Sequence, residues 1–341
     1  MSLENRVFSQ ADSARISDKY VAVRLLGGDD LDDEGREFMR RFDIGGYPTM
    51  LALTADGAVA GRSFGDWTTD GILGAMESAE KANTEFLAKE AELTKKGDPA
   101  SSRELAGEYL VRAEFEKSRS ALEKLVSTGE PELEDQLMLL EVVGRLGDKD
   151  ARKALLGTLI ETRKDHEDHI NWRVDLAMAH LPTQITNEEE FREVMEGRKA
   201  ALTSLLADVK KPADQAVVRH ALASAFANTG DLETATGHWN WILDNARDSR
   251  VAPDAIWYVG LQLFKGAKDP FTGNDDLEKL NKCLALLEEI VAKFPDHELA
   301  AQAQQAALPV VRKRIAAQIA KDDAAKKAAA EKEAGKDGED G

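Results

Sequence analysis

The apolar positions of this chain follow two different periods, and the change from one to the other falls near residue 97. Early on, an apolar run beginning at Tyr20 and closed by Arg24-Leu25-Leu26 reads as a short strand. A helix is predicted over residues 33–42, with Phe38, Met39 and Phe42 on one face. Past Pro48, Met50-Leu51-Ala52-Leu53 forms a second apolar run, and Ala55-Asp56-Gly57-Ala58 supplies Asp-Gly turn chemistry. Residues 59–64 then read as the return arm of a β-hairpin that ends at Gly65, and a long helix is predicted from Thr69. Beyond Lys95-Lys96-Gly97-Asp98-Pro99 strand signals vanish, and helical spacing with short Gly, Asp or Pro breaks runs to about residue 320.

Within that helical stretch one unit is clear: Leu222-Ala223-x-x-Phe226, Gly230-Asp231, then Ala235, Trp239 and Leu243. Small residues let two helices approach, large ones fill the gaps, and glycine at the turn permits a positive φ. The spacing resembles the tetratricopeptide repeat, a helix pair that stacks into a solenoid. Leu105-Ala106-x-x-Tyr109, Phe115, Leu122 and Leu125-Val126 form a second copy, with Ala113 at the turn and Pro131 near its end. A third runs from Leu280 through Leu284, Leu287 and Val291 to Phe294-Pro295, with its following helix predicted near His297. Residues 139–156, around Gly147-Asp148, match weakly, and residues 170–206 keep helical spacing without the signature. The resemblance implies an array of degenerate repeats with a protein or peptide as partner.

The strand, helix, hairpin and helix of the first part, with Gly46-Tyr47-Pro48-Thr49 leading the hairpin, resemble the thioredoxin superfamily. In that superfamily the corresponding proline is cis and lies against a cysteine pair, and the residue before it pairs with an extended substrate. Residues 3–20 resemble the part of the first helix that follows Trp-Cys-x-x-Cys in secreted members. The resemblance therefore implies a first strand that has no counterpart after Met1. Either the remaining strands re-pair or the start codon is placed too late, and the second account is preferred.

Composition narrows the functional classes. Asp plus Glu number 63 against 45 Lys plus Arg, a formal charge of −18, which argues against nonspecific nucleic-acid binding and anionic membranes. No run reaches the length of a membrane span. A single cysteine, Cys283, sits in a helical pattern with Leu280, Leu284 and Leu287 and reads as a buried, inert thiol. A dithiol cycle needs a second thiol to resolve the mixed disulfide, so this chain cannot run one alone.

Each candidate site competes with a structural role. Tyr47, Pro48 and Thr49 form the peptide-recognition half of a redox site if a longer natural product supplies the missing strand; otherwise Pro48 shapes the hairpin entry. Asp29 to Gly35 invites a calcium reading, but the twelfth position from Asp30 is Arg41, where a bidentate glutamate is needed. His166 and His169 are predicted to share a helix face with nothing to bring His180 beside them, so no metal site is expected. Trp239 falls at the inter-helix packing position. Trp241, two residues on, points elsewhere and is the candidate contact on a binding surface; Trp257, Tyr258 and Phe264 add aromatics to the same region.

The expected fold class is α/β plus all-α: a truncated thioredoxin-like domain over residues 1–88, a tetratricopeptide-like α-solenoid over 98–320, and a disordered tail over 321–341. The expected function is polypeptide or client binding through the repeats, without a redox dithiol, a cofactor, a metal or membrane insertion. The alternative is a thiol-disulfide oxidoreductase of the bacterial cell envelope whose Cys-x-x-Cys precedes the start. The compartment follows that choice: cytoplasmic as the chain stands, periplasmic or envelope if a segment is missing.

Overall fold

A computed structural model describes residues 14–21, 33–44, 49–63, 67–127, 131–179, 181, 187–270 and 272–336. The chain divides into two compact units, Met1–Glu161 and Thr162–Gly341. The first contains α1 (Ala14–Ser17), α2 (Asp33–Arg41), the strands β1 (Met50–Leu53) and β2 (Val59–Ser63), and the helices α3 (Thr69–Lys96), α4 (Pro99–Val111), α5 (Phe115–Ser127), α6 (Leu133–Leu146) and α7 (Lys149–Thr162). β1 and β2 are antiparallel, with Ala52 opposite Gly61 and Leu53 opposite Val59, so β2 carries an extra residue beside the turn. Gly57 takes φ 84° there. Of the strand expected over residues 20–26, Tyr20 and Val21 are not in a strand, and residues 22–26 lie outside the described residues.

Helix α3 begins where the Thr68 hydroxyl accepts the Gly71 N–H at 3.0 Å and stops at Gly97, φ 64°. Its first half lies on the hairpin. Gly61 makes this approach possible, since a Cβ there would come within 2.9 Å of the Ala79 methyl. Its second half packs Phe86 and Leu93 against Leu105 and Tyr109 of α4. The Val59 N–H donates to the Arg112 carbonyl at 2.8 Å, and Phe42 and Val59 share one apolar cluster with Ala106, Phe115, Leu122 and Val142. The sequence places a domain boundary between residues 88 and 98. A shared apolar cluster joins the hairpin to α4, α5 and α6, and the first compact unit ends at Glu161.

The second unit runs α8 (His169–Met178), α9 (Glu188–Asp208), α10 (Pro212–Asn228), α11 (Leu232–Asn245), α12 (Ala252–Gly266), α13 (Leu277–Lys293) and α14 (Glu298–Gln302). A π turn, Ala303–Ala307, then leads into α15 (Leu308–Lys336). Each helix from α8 to α13 packs on the next in sequence, and α13 packs on α15. Fully buried Ala216, Ala223, Ala235, Ala252 and Ala255 keep the helices close, while Trp239, Ile242, Ile256 and Ile290 fill the spaces between them. The turns of the helical pairs are left-handed where the pattern placed them: Ala113 (φ 57°), Gly147 (φ 72°) and Gly230 (φ 83°).

At the far end, Arg314 of α15 grips the Asp275 carboxylate through two nitrogens and donates to the Phe264 carbonyl at 2.8 Å. The Asp275 N–H donates to Gln318 Oε1 at 2.8 Å, which ties the loop between α12 and α13 to the last helix. In the π turn the Leu308 N–H donates to the Ala303 carbonyl, five residues back, and Pro309 follows with no N–H to give. Helix α15 continues to Lys336, although the sequence predicts disorder from residue 321. Ala, Lys and Glu dominate that stretch, and all three are strong helix formers even with nothing large to bury.

Candidate binding face around Trp241

The turn at Gly230 brings α10 and α11 antiparallel, and α9 packs against the other flank of α10. Trp239 and Trp241 point different ways, as their spacing on a helix requires. Trp239 is 1% exposed and stacks on Tyr258 with ring centroids 4.5 Å apart and planes 4° off parallel. Its role is packing. Trp241 stays half-buried, and the Arg219 guanidinium lies over its indole at 4.2 Å.

From Arg219 a column of rings and cations extends across the three helices. Arg219 Nη1 stands 3.3 Å from His238 Nδ1. The His238 ring stacks on Phe226 at 5.7 Å, and the Lys199 ammonium of α9 lies 4.8 Å from the centre of the Phe226 ring. Burial pushes the His238 pKa down and the adjacent Arg219 charge pushes it further, so the imidazole is held neutral beside the guanidinium. Burial also lowers the pKa of Arg219. Beneath this layer, His220 lies 6.5 Å from Tyr258, and burial depresses its pKa against the pull of Asp254.

A groove of about 750 Å³ opens along the neighbouring face, between α11, α12 and α13. Val259, Leu263 and Leu286 give it an apolar lining, and the Arg247–Glu289 pair, 2.7 Å at Nε, stands at its rim.

Of the residues predicted from sequence, Trp241 is half-buried and packs against the core cluster of the second unit. Tyr47 and Pro48 lie outside the described residues, and Thr49 is half-buried just ahead of β1. Cys283 is 1% exposed in the core of the second unit, and burial pushes its thiol up to about 11. His166 lies in the turn before α8 instead of sharing that helix with His169: its Nδ1 accepts the Asp168 N–H at 3.1 Å and its ring stacks on Trp172. His180 and Asp30 lie outside the described residues. Among the described residues no group of three or more His, Cys, Asp or Glu is placed to hold a metal ion. No described helix is long and apolar enough to cross a membrane.

Sequence reasoning named Trp241 and not its neighbours. Arg219, Leu222, Ala223 and Phe226 share one face of α10, and His238 and Trp241 are three apart on α11, so two helical-wheel alignments already bring them toward one seam.

No family model matches the chain, and no curated protein matches it. Solved structures do match, among them the crystal structure of TTC0263, described as a thermophilic TPR protein in Thermus thermophilus. That match has 13% identity and a TM-score of 0.38, and covers 62% of this chain and 100% of the other.

Proposed function

We propose that this chain is a polypeptide-binding protein whose tetratricopeptide-like helix pairs present a recognition face centred on Trp241. The observation that carries the reading is the Trp241–Arg219 stack, an amphipathic aromatic held at half exposure on rigid helices. Aromatic and arginine side chains in that setting are the usual anchors of protein recognition. Antiparallel pairs with small residues at the crossings and a left-handed turn residue support the repeat reading. The finer reading of the first unit is a thioredoxin-like hairpin without a redox dithiol, in which Tyr47, Pro48 and Thr49 offer an edge to an extended peptide. What supports it is the order α2, β1, β2, α3 along the sequence.

A displayed random-peptide library panned on the purified chain tests the proposal. Selected peptides should bind in solution, and Trp241→Ala should weaken them about tenfold or more while leaving the circular dichroism spectrum unchanged. A library that yields no peptide with measurable affinity, or peptides indifferent to Trp241→Ala, would refute it.

A further inference from the structure

Arginines in this chain are generally matched to acids: Arg103 to Asp135, Arg119 to Glu123, Arg145 to Asp43, Arg247 to Glu289, Arg250 to Asp168, Arg312 to Glu288 and Arg314 to Asp275. Arg219 is not. Its Nε is buried and has no hydrogen-bond partner, and its Nη1 faces a second basic group, His238. Lys199 completes the column through Phe226, and it pairs with Glu196 of its own helix. In a chain of formal charge −18, a partly desolvated guanidinium without a carboxylate runs against composition. It also costs free energy that a bound anion would return. The indole of Trp241 fixes the plane of the guanidinium, and a planar fork held by an aromatic face suits the paired oxygens of a carboxylate or phosphoryl group.

We infer that the corner formed by Arg219, His238 and Trp241 receives an oxyanion carried by the bound polypeptide. This rests on the polypeptide-binding reading and names the group that such a partner places there. The anion completes the coordination of Arg219, and Lys199 raises the local potential that draws it in.

Three labelled peptides test this on the full chain by fluorescence anisotropy: one alternating Ser and Glu, one with Gln for Glu, and one with phosphoserine for Glu. An NMR titration of the His238 ring with inorganic phosphate runs beside them. At least one anionic peptide should bind about tenfold tighter than the Gln peptide, with the advantage shrinking as salt rises. The tighter of the two anionic peptides identifies carboxylate or phosphoryl as the group. Arg219→Gln should erase the preference for the anionic peptides over the Gln peptide. Arg219→Lys keeps the charge and loses the fork, and should retain part of the preference; it serves also if Arg219→Gln does not fold. Equal binding of all three peptides overturns the inference and leaves polypeptide binding standing. A His238 response to phosphate together with equal binding of all three peptides overturns the polypeptide as carrier. No response in any arm overturns both.

Discussion

Gly61→Ala is the sharpest probe of how the first unit is assembled. The substitution adds one methyl to β2, and an ideal Cβ at that position lies 2.9 Å from the Cβ of Ala79 on α3. Carbon atoms rest at roughly 3.5–4.0 Å, so helix and strand must part by about 0.6–1 Å. Ala79 is 5% exposed and cannot swing away, having no χ angle. Overpacking of this kind costs about 1–3 kcal/mol. Ala79→Gly alone costs about 1 kcal/mol in helix propensity and about 0.8 kcal/mol for the buried methyl. In the double variant the methyl only changes owner, so its total loss should fall to the propensity cost alone, about 1 kcal/mol. Hydrogen exchange of the hairpin amides, read by mass spectrometry on peptides covering residues 50–63, isolates this unit from the second. A double-mutant cycle should show favourable coupling of about 1 kcal/mol or more. Additivity within about 0.5 kcal/mol would mean that α3 does not lie on the strand at this point.

Two further outcomes follow from charge and from turn geometry. The Glu289 carboxyl is brought down to about 2 by hydrogen bonds from Arg247, against burial acting the other way. A depressed acid stabilises the fold fully above its unfolded pKa, about 4.3, and loses that contribution as pH falls through the folded value. Urea midpoints of wild type and Arg247→Gln should therefore differ at pH 6 and converge by pH 2, with a gap of about 1 kcal/mol once solvent screening is discounted; a gap independent of pH would refute the linkage. Ala113→Gly should be nearly neutral. Relief of left-handed strain, roughly 1–2 kcal/mol, is offset by a lost buried methyl, about 0.8 kcal/mol, and by a freer unfolded chain, about 0.4–1 kcal/mol. Gly230→Ala, at the matching turn with open space around it, should lose about 1 kcal/mol; equal urea midpoints for the two variants would contradict this.

The local code was readable in the sequence. Asp-Gly marked the hairpin turn, the start of α3 at Thr69 falls where the pattern put it, and the turn residues Ala113, Gly147 and Gly230 all adopt positive φ. Lys95 to Pro99 looks like a linker in composition, while Phe42 and Val59 find partners in Ala106 and Phe115, across more than fifty residues from Phe42. No periodicity carries such information. Trp241 was legible as an aromatic off the packing face. Arg219 was not, since an arginine in a helix reads as solvated surface until tertiary structure strips it of water and of any acid. His166 and His169 fit one helix face by spacing, but the turn before α8 separates them.

The π turn near the C-terminus bears on how this segment can change by inheritance. Buried positions run Leu299 and Ala300 on α14, Ala303 in the π turn, and then Leu308 and Val311 on α15. The step of five falls at the π turn, where an α-helix would offer three or four. The segment thus holds one residue more than its packed stripe requires, and Pro309 stands where the hydrogen-bond ladder is already changing step. Deleting one residue alone would set Pro309 inside a regular helix, at a cost of about 3 kcal/mol. Deleting it together with Pro309→Ala would leave an unbroken helix with the same buried stripe. A descendant that sheds the extra residue is therefore expected to shed the proline as well, so the two positions mutate as a linked pair.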